Sequence, residues 1–297
     1  MIDSKYAEIS DLSDARFVEI NKAIEALNLK YNLPDHATLN KARFLDNPII
    51  NASGTFYGAR MWEYPFAIIN AELKEGMTCA DIGCGSTPFT PYLASVTGQN
   101  TVTGFDNDFL ENDNTHFAFG VRKEFIKDTG IQFKFSGMEK IDAQDNSFDR
   151  VFCISVLEHI DNPAIWQKGL KEMARILKPD GRLILTFDFA LSNKYLSIGD
   201  VLNYTGLIPC NFINMNWPTD RFVKVESLSM DVFGLVLQKP SGTVYTDHSK
   251  MKSIPRERAL TVYVPEVTYP HELQIAKDIN RGKLLTVSKI VLNRYKK

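Results

Sequence analysis

The stretch from residue 78 to residue 96 restricts the possible folds more than any other part of the sequence. A short apolar run over residues 78–82 ends at Gly83, and Gly85 precedes a helical pattern over residues 88–96. Strands that are apolar throughout and alternate with helices are typical of a parallel sheet covered on both faces. The two glycines let the chain turn sharply and let a ligand approach the free amides at the start of the helix. The pattern predicts an α/β fold with a ligand-binding loop after its first core strand.

The same alternation continues to residue 187 and defines the core. We expect further strands over residues 101–105, 132–136, 150–155 and 182–187. Helical spacing of apolar residues predicts helices over residues 11–31, 65–74, 163–177 and 198–207. A late, buried strand is expected over residues 231–238, a further strand over 260–264 and a helix over 284–295.

These elements divide the chain into three parts. We predict an N-terminal helical or lid segment (1–75), a core (76–238) and a C-terminal extension packed on the core (239–297). With 44% hydrophobic residues among 297, the chain has enough apolar surface to bury a sizeable core.

Charge and composition exclude several classes of protein. The formal net charge of −2 gives no electrostatic reason to expect a nucleic-acid partner, and no apolar run reaches the 18 residues of a spanning helix. The N-terminus lacks a secretory pattern, so we expect a cytoplasmic protein without a membrane partner. The four cysteines are scattered and form no close Cys/His pairs, so we predict buried thiols and no metal site.

Acidic residues follow two of the predicted strands in a way that suggests a nucleoside ligand. Asp106 ends the second strand, 21 residues after Gly85, where a carboxylate accepts hydrogen bonds from both ribose hydroxyls. Dinucleotide-binding loops normally carry a third glycine, and Pro88 stands at that position, which disfavours a pyrophosphate. A ligand without phosphate and with a positively charged end would suit Asp81 better.

Four motifs in this order resemble those of the UbiE-like, class I methyltransferases that use S-adenosylmethionine. They are the segment Asp81-Ile-Gly-Cys-Gly, Asp106, the stretch from Asp145 to Ile160, and Leu177-Lys-Pro-Asp-Gly-Arg-Leu. The resemblance covers roughly residues 75 to 190. It implies a Rossmann-like, open and mostly parallel sheet with helices on both faces, with S-adenosylmethionine as cofactor.

The resemblance also implies which residues bind the cofactor. Gly83, Cys84 and Gly85 would pass close under it, and Asp81 would hold its amino group. Asp106 would bind the ribose with Asn107 beside it, and Ser155 and Val156 would flank the methionine portion. Relatives place an acid against the adenine amino group, but the matching position here is Gly137. The adenine is then held by backbone groups and Met138, or by Glu139 if the alignment is displaced by two residues.

A polar and aromatic cluster precedes the first core strand, where many relatives fold a lid over the cofactor; its members are Tyr57, Arg60, Trp62, Glu63 and Tyr64. From it, Arg60 is a candidate partner for the cofactor carboxylate. Tyr57 and Trp62 are candidates for stacking near the sulfonium, because aromatic faces attract cations. Packing between helices is the alternative interpretation of this cluster.

Methyl transfer needs alignment of the reacting atoms and, for a hydroxyl or ammonium acceptor, a base that removes a proton. His159 and Glu158 follow the fourth strand and Asp188 ends the fifth, at the edge where ligands bind in open parallel sheets. Imidazole titrates near neutral pH, so His159 is the leading candidate. A packing role for His159 and a capping role for Asp188 are the alternatives.

The sequence favours a small-molecule acceptor, with a hydroxyl preferred over an amine or a carbon atom. The position after the fourth strand reads Ser-Val-Leu-Glu instead of the Asn/Asp-Pro-Pro-aromatic motif of base-amino methyltransferases. No carboxylate cluster for magnesium is evident. The alternatives are a methyltransferase acting on a glycan or protein end, and a binding protein that keeps the fold without turnover. The oligomeric state is not indicated.

Overall fold

The computed structural model describes residues 1–32, 59–107, 117–190, 197–214, 216 and 230–241. Within these ranges nine strands form one sheet: β1 (Ser4–Tyr6), β2 (Cys79–Ile82), β3 (Val102–Asp106), β4 (Gln132–Phe135), β5 (Phe148–Ile154), β6 (Leu177–Ala190), β7 (Ile208–Pro209), β8 (Ile213–Asn214) and β9 (Met230–Gln238). The helices are α1 (Ala15–Lys30), α2 (Arg60–Ala71), α3 (Phe89–Thr97), α4 (Phe117–Thr129), α5 (Pro163–Ile176) and α6 (Ile198–Thr205), with short 3-10 helices at Ile9–Ser13 and Leu157–His159.

The sheet has the order β4-β3-β2-β5-β6-β9-β1-β8, and β7 pairs with β9. The five strands from β4 to β6 are parallel, whereas β9 runs antiparallel to β6. From β2 the chain first builds β3 and β4 on one side and then returns to build β5 on the other. The reversal opens a crevice at the carboxyl ends of β2 and β5, which is where open α/β sheets bind ligands.

Two hydrophobic clusters cover the two faces of the sheet. Alternate residues of β6 belong to opposite clusters: Leu183 and Leu185 lie on the face with α5 and α6, and Ile184 lies on the face with α1 to α4. All three side chains are fully buried. This alternation is what a sheet covered on both sides requires, and it confirms the Rossmann-like fold class.

Helix α2 lies unusually close to the sheet, because Gly234 of β9 leaves room for it. A Cβ built on Gly234 would lie 2.3 Å from Cε1 of Phe66 in α2. Pro65 deprives the Met61 carbonyl of its normal helical partner, and Nδ2 of Asn21 in α1 donates to that carbonyl at 2.9 Å instead. Helix α2 is therefore fixed on the sheet from one side and on α1 from the other.

Most of the predicted elements between residues 78 and 187 are confirmed within a few residues. Helix α2 begins at residue 60, five residues before the predicted start, since Asn21 compensates for the internal proline. The prediction missed α4, β1 and the short strands β7 and β8.

The three-part division into 1–75, 76–238 and 239–297 stays a prediction, although β1 shows that the N-terminal part also contributes a strand to the sheet. The elements expected over 260–264 and 284–295 lie outside the described residues. In the described ranges, none of the helices has the length and apolar character needed to cross a membrane.

Candidate active site

The loop after β2 and the turn after β5 meet at the carboxyl edge of the sheet. Gly83 has a φ of +71°, a conformation that favours glycine, and a Cβ built on it would lie 2.5 Å from Cγ2 of Val156. The predicted glycine loop and the predicted methionine-flanking residue are therefore in direct contact. Cys84 is buried against Gly104 of β3, and burial raises the pKa of its thiol well above the ordinary value, so it is a neutral packing group.

Asp106 fixes the glycine loop from the neighbouring strand. The Gly85 amide donates to Oδ2 of Asp106 at 2.8 Å. On the other side, Nε and Nη2 of Arg122 donate to the Gly85 carbonyl at 3.1 and 3.0 Å. The peptide groups around Gly85 are thus held on both sides, and the Asp106 carboxylate is oriented at the end of β3.

Asp81 is a buried carboxylate at the end of β2. Its side chain is 3% exposed and accepts a hydrogen bond from Oγ1 of Thr90 at 3.2 Å. Burial raises the pKa of Asp81 to about 7, and the charge of Asp106 adds to this, whereas Thr90 and the charge of Arg60 act in the opposite direction. A cation that binds here would stabilise the ionised carboxylate.

Glu63 lies at the centre of a buried polar cluster that joins α2 to the ends of β5 and β6. Its side chain is fully buried. Its Oε1 accepts from Oγ of Ser155 at 2.5 Å and from Oγ1 of Thr186 at 3.1 Å, and its Oε2 accepts from Nη1 of Arg60 at 2.5 Å. We call these four residues the Glu63 cluster.

Arg60 is surrounded by acidic and aromatic groups. Burial acts to lower its pKa, but the charges of Glu63, Tyr64 and Glu158 and the hydrogen bond with Glu63 outweigh this and raise the pKa above the ordinary value. Its guanidinium lies 5.8 Å from the centre of the Tyr64 ring. Arg60 is permanently charged, and its effect on the pKa of Asp81 places both side chains in one electrostatic environment. Tyr57 lies outside the described residues, so its predicted role stays a prediction.

Trp62, the other stacking candidate, is fully buried. Its ring stacks on Phe66 with 4.6 Å between ring centres, and its Nε1 donates to Oδ2 of Asp11 at 2.7 Å. These contacts favour the packing interpretation for Trp62.

Among the three candidate catalytic residues, the structure describes the side chains of Glu158 and His159 and only the backbone of Asp188. Glu158 and His159 form part of the 3-10 helix Leu157–His159 directly after β5. Both carboxylate oxygens of Glu158 are buried, whereas His159 is exposed. The backbone of Asp188 pairs with Val232 in β9, but its side chain lies outside the described parts. Their catalytic roles stay predictions.

The predicted adenine side lies near the end of β4. Met138 is buried, and a Cβ built on Gly169 of α5 would lie 2.8 Å from its Sδ, so Met138 packs on α5. Glu139 folds back toward Gly137: a Cβ built on Gly137 would lie 2.6 Å from Oε2 of Glu139. The Glu139 carboxylate therefore occupies the space beside the position where relatives carry an acid. Asn107 is exposed just after β3.

Sequence reasoning missed the residues that hold the site together. Thr90, Arg122 and Thr186 were not singled out, and Glu63 was noted only as a member of the aromatic cluster. The bonds from Ser155 and Thr186 to Glu63 span 92 and 123 residues, so no local pattern could have indicated them. Within the described ranges, His, Cys, Asp and Glu side chains form no group of three or more that could hold a metal ion.

Comparison with known proteins matches part of this site to a recognised domain. A family model described as a methyltransferase domain matches residues 80–185. The chain is 33% identical over 117 residues to a tRNA U34 carboxymethyltransferase of Nautilia profundicola (39% of this chain, 35% of that protein). It is 31% identical over 129 residues to the sterol 24-C-methyltransferase ERG6A of Gibberella zeae (41% and 30%).

The chain is similar over a longer alignment to the methyltransferase GfsG of Streptomyces halstedii, with 27% identity over 186 residues (62% of this chain, 59% of that protein). The chain spans about a third of the length of the first two relatives. The matched region contains the glycine loop, Asp106 and the turn after β5. It begins after α2, so the family match does not include Arg60 or Glu63.

Proposed function

Because residues 80–185 form a Rossmann-like, class I methyltransferase domain, we propose that the chain transfers a methyl group from S-adenosylmethionine to a small-molecule acceptor. One observation carries the proposal. At the topological reversal of the sheet, the Gly85 amide is bound to the Asp106 carboxylate, which orients an acceptor for ribose hydroxyls at the end of β3.

The charged groups at this edge match the charges of S-adenosylmethionine. Asp106 accepts from the ribose hydroxyls, the buried Asp81 accepts from the ammonium group, and Arg60 donates to the carboxylate. The cofactor supplies a methyl group already activated on a sulfonium. The chain has to orient that group, exclude water and remove a proton from the acceptor where one is present.

For the adenine amino group we favour Glu139 as the acceptor. Its carboxylate lies beside Gly137, and Met138 contributes an apolar wall from the neighbouring position. An acid placed two residues later and folded back would serve the role that relatives assign to the earlier position. Asn107 lies on the adenine side of Asp106 in this arrangement.

His159 is our candidate base, and a hydroxyl is our preferred acceptor. An exposed imidazole next to the methionine side of the site is accessible to an incoming acceptor. Glu158 and Asp188 are the other candidates at the same edge. A neutral hydroxyl requires a base only as its oxygen attacks, and a positioned imidazole can accept that proton.

A nucleic-acid acceptor is the second candidate, since one of the relatives is named a tRNA carboxymethyltransferase. The formal net charge of −2 gives no electrostatic reason to expect a phosphate backbone as the acceptor. A sterol, a glycan or a protein end, and loss of turnover are further alternatives.

Calorimetric titration with S-adenosylmethionine, S-adenosylhomocysteine and NAD tests the cofactor. We expect micromolar binding of the first two and none of NAD. Asp106→Ala should weaken binding about 5- to 150-fold, which corresponds to the roughly 1–3 kcal/mol of an unsatisfied polar group. Asp128→Ala, which removes a surface carboxylate paired with Lys30, is the matched control and should bind normally. Equal affinities of Asp106→Ala and the wild type for S-adenosylmethionine would show that Asp106 does not bind the cofactor.

A second assay tests the acceptor. The protein is incubated with methyl-labelled S-adenosylmethionine and with small hydroxyl compounds, sterols, or bulk tRNA in separate reactions. Label in a small hydroxyl compound supports the proposal. Label in tRNA or sterol alone would replace it by the corresponding alternative.

A further inference from the structure

Glu63 is the most unusual polar residue that the proposed chemistry leaves without a role. It is a fully buried carboxylate that lies in helix α2, outside the region shared with the methyltransferase family. Burying a charge is unfavourable unless it is paired and hydrogen-bonded, and Glu63 meets both conditions through Arg60, Ser155 and Thr186. The hydrogen-bond partners of Glu63 indicate which groups this buried carboxylate holds in place.

The first group that it holds is Ser155. This residue has a φ of +51°, in the left-handed region that non-glycine residues rarely adopt. Its hydroxyl donates to Glu63, and its amide donates to the Thr186 carbonyl at 2.9 Å. Strained backbone of this kind persists where the surroundings fix it, and it occurs most often at functional sites.

The conformation of Ser155 determines where the next residue points. Val156 lies against Gly83, so close that a Cβ on this glycine would overlap it. A continuous chain of contacts therefore leads from Glu63 through Ser155 and Val156 to the glycine loop that is expected to pass under the cofactor.

The second group that Glu63 holds is Arg60. The two residues are three positions apart in α2, and the Arg60 side chain is about a quarter exposed while Glu63 is fully buried. The buried carboxylate anchors one nitrogen of the guanidinium, and the remaining N–H groups can donate to another acceptor, since guanidinium carries five in a rigid plane. Anchoring one edge in this way reduces the freedom that Arg60 would lose on binding a carboxylate.

We propose that Glu63 is a positioning residue for the amino-acid end of S-adenosylmethionine: its carboxylate fixes Arg60 as the donor to the cofactor carboxylate and Ser155 as the wall beside it. The inference rests on the proposed function, because it assumes that the methionine portion lies at the ends of β2 and β5. It assigns to α2 a part of the site that the matched domain does not contain.

Two ligands separate this role from a general effect on stability. S-adenosylhomocysteine has an amino-acid end, whereas 5′-methylthioadenosine has the same adenosine and sulfur without it. We expect Glu63→Gln to weaken S-adenosylhomocysteine binding about tenfold or more, since the variant removes the charged partner of Arg60. Binding of 5′-methylthioadenosine should change less than twofold. Both affinities are measured by calorimetry, with thermal unfolding recorded in parallel.

Asp149→Asn is the matched control. Asp149 accepts from Nζ of Lys178 at 2.8 Å and from the hydroxyl of Thr78 at 2.8 Å, which reproduces the cation and threonine partners of Glu63. It lies at the beginning of β5, at the opposite edge of the sheet. We expect this variant to lower the unfolding temperature without changing the affinity ratio of the two ligands.

A second variant covers the case in which Glu63→Gln does not fold. Ser155→Ala removes one hydroxyl of the Glu63 cluster and should shift the same ligand ratio in the same direction by a smaller factor. An equal loss of affinity for both ligands, or unchanged affinity for both, would refute the inference in either variant. The proposed function fails separately, when the wild-type protein binds neither ligand.

Discussion

The difference in stability between the wild type and the Asp81→Asn variant, followed over pH, tests whether Asp81 is a buried acid of the site. The buried Asp81 has a pKa of about 7, compared with 3.8 for an unperturbed carboxyl. Between these values the folded protein holds a proton that the unfolded chain has lost. The stabilisation from that proton is complete below pH 3.8 and is lost as the pH rises through about 7. The wild-type protein should therefore become less stable over this range.

The size of the effect follows from the two pKa values. A difference of about 3 in pKa corresponds to about 4 kcal/mol, since each unit is worth about 1.4 kcal/mol. Asparagine resembles the protonated acid in shape and can still accept from Thr90. The variant should match the wild type near pH 4 and exceed its free energy of unfolding at pH 8 by a few kcal/mol, up to about 4.

Urea unfolding of both proteins at several pH values between 4 and 8, without ligand, measures this difference. Comparison of the two proteins at each pH cancels the other titrating groups. Calorimetry with S-adenosylhomocysteine then tests the function: wild-type affinity should rise about tenfold per pH unit from pH 5.5 to 6.5, as Asp81 ionises to accept the ammonium group. The variant should bind weakly at every pH, although it is the more stable protein.

A constant difference in stability between the two proteins from pH 4 to pH 8 would refute the ionisation argument. If the stability difference depends steeply on pH but both proteins bind the ligand equally well, Asp81 is a buried acid that does not bind the ammonium group. Binding of 5′-methylthioadenosine, which has no ammonium group, should not depend on pH in this range and serves as the internal control.

Two further predictions concern packing and catalysis. Gly234→Ala should lower the free energy of unfolding by roughly 1–3 kcal/mol in urea, because the new Cβ would overlap Phe66. The double variant with Phe66→Leu should recover part of this loss. An unchanged free energy of unfolding for Gly234→Ala would contradict the close approach of α2 to the sheet. His159→Ala should lower kcat in the methyl-transfer assay while S-adenosylmethionine affinity is retained; an unchanged kcat would leave His159 without a role as the base.

The elements predicted well are those whose signal is local. Strands β2, β3 and β5 are short apolar runs that end at a glycine or a polar residue, and the glycine loop follows directly from its sequence. Helix α4 was missed although six of its 13 residues are apolar and Phe117, Val121 and Phe125 recur every four positions; among its described side chains, Val121 and Phe125 are buried hydrophobics. Strand β1 is three residues long and is stabilised by pairing with β8 and β9, more than 200 residues away.

The site was predicted only in part, for the same reason. Asp81, Gly83 and Asp106 belong to motifs with fixed spacing, so their positions could be inferred one after another. The role of Glu63 depends on two hydroxyl groups that become its neighbours only when β5 and β6 lie side by side beneath α2. Sequence distance hides such contacts: nine of the twelve residues of α2 are buried, and nothing in the local sequence distinguishes Glu63 as one of them.

The proposed cofactor site is built partly from residues 80–185, which match the methyltransferase domain, and partly from α2, which does not. The region shared with the methyltransferase family supplies the glycine loop, Asp81, Asp106 and the turn after β5. Arg60 and Glu63 come from α2, before the matched region, and we propose that they hold the amino-acid end of the cofactor. Proteins named for tRNA and for sterol acceptors are both similar to this chain over about 40% of its length, so this similarity alone does not identify the acceptor. Because α2 lies outside the matched region and is proposed to hold the amino-acid end of the cofactor, replacing α2 should weaken S-adenosylhomocysteine binding in calorimetry more than binding of 5′-methylthioadenosine.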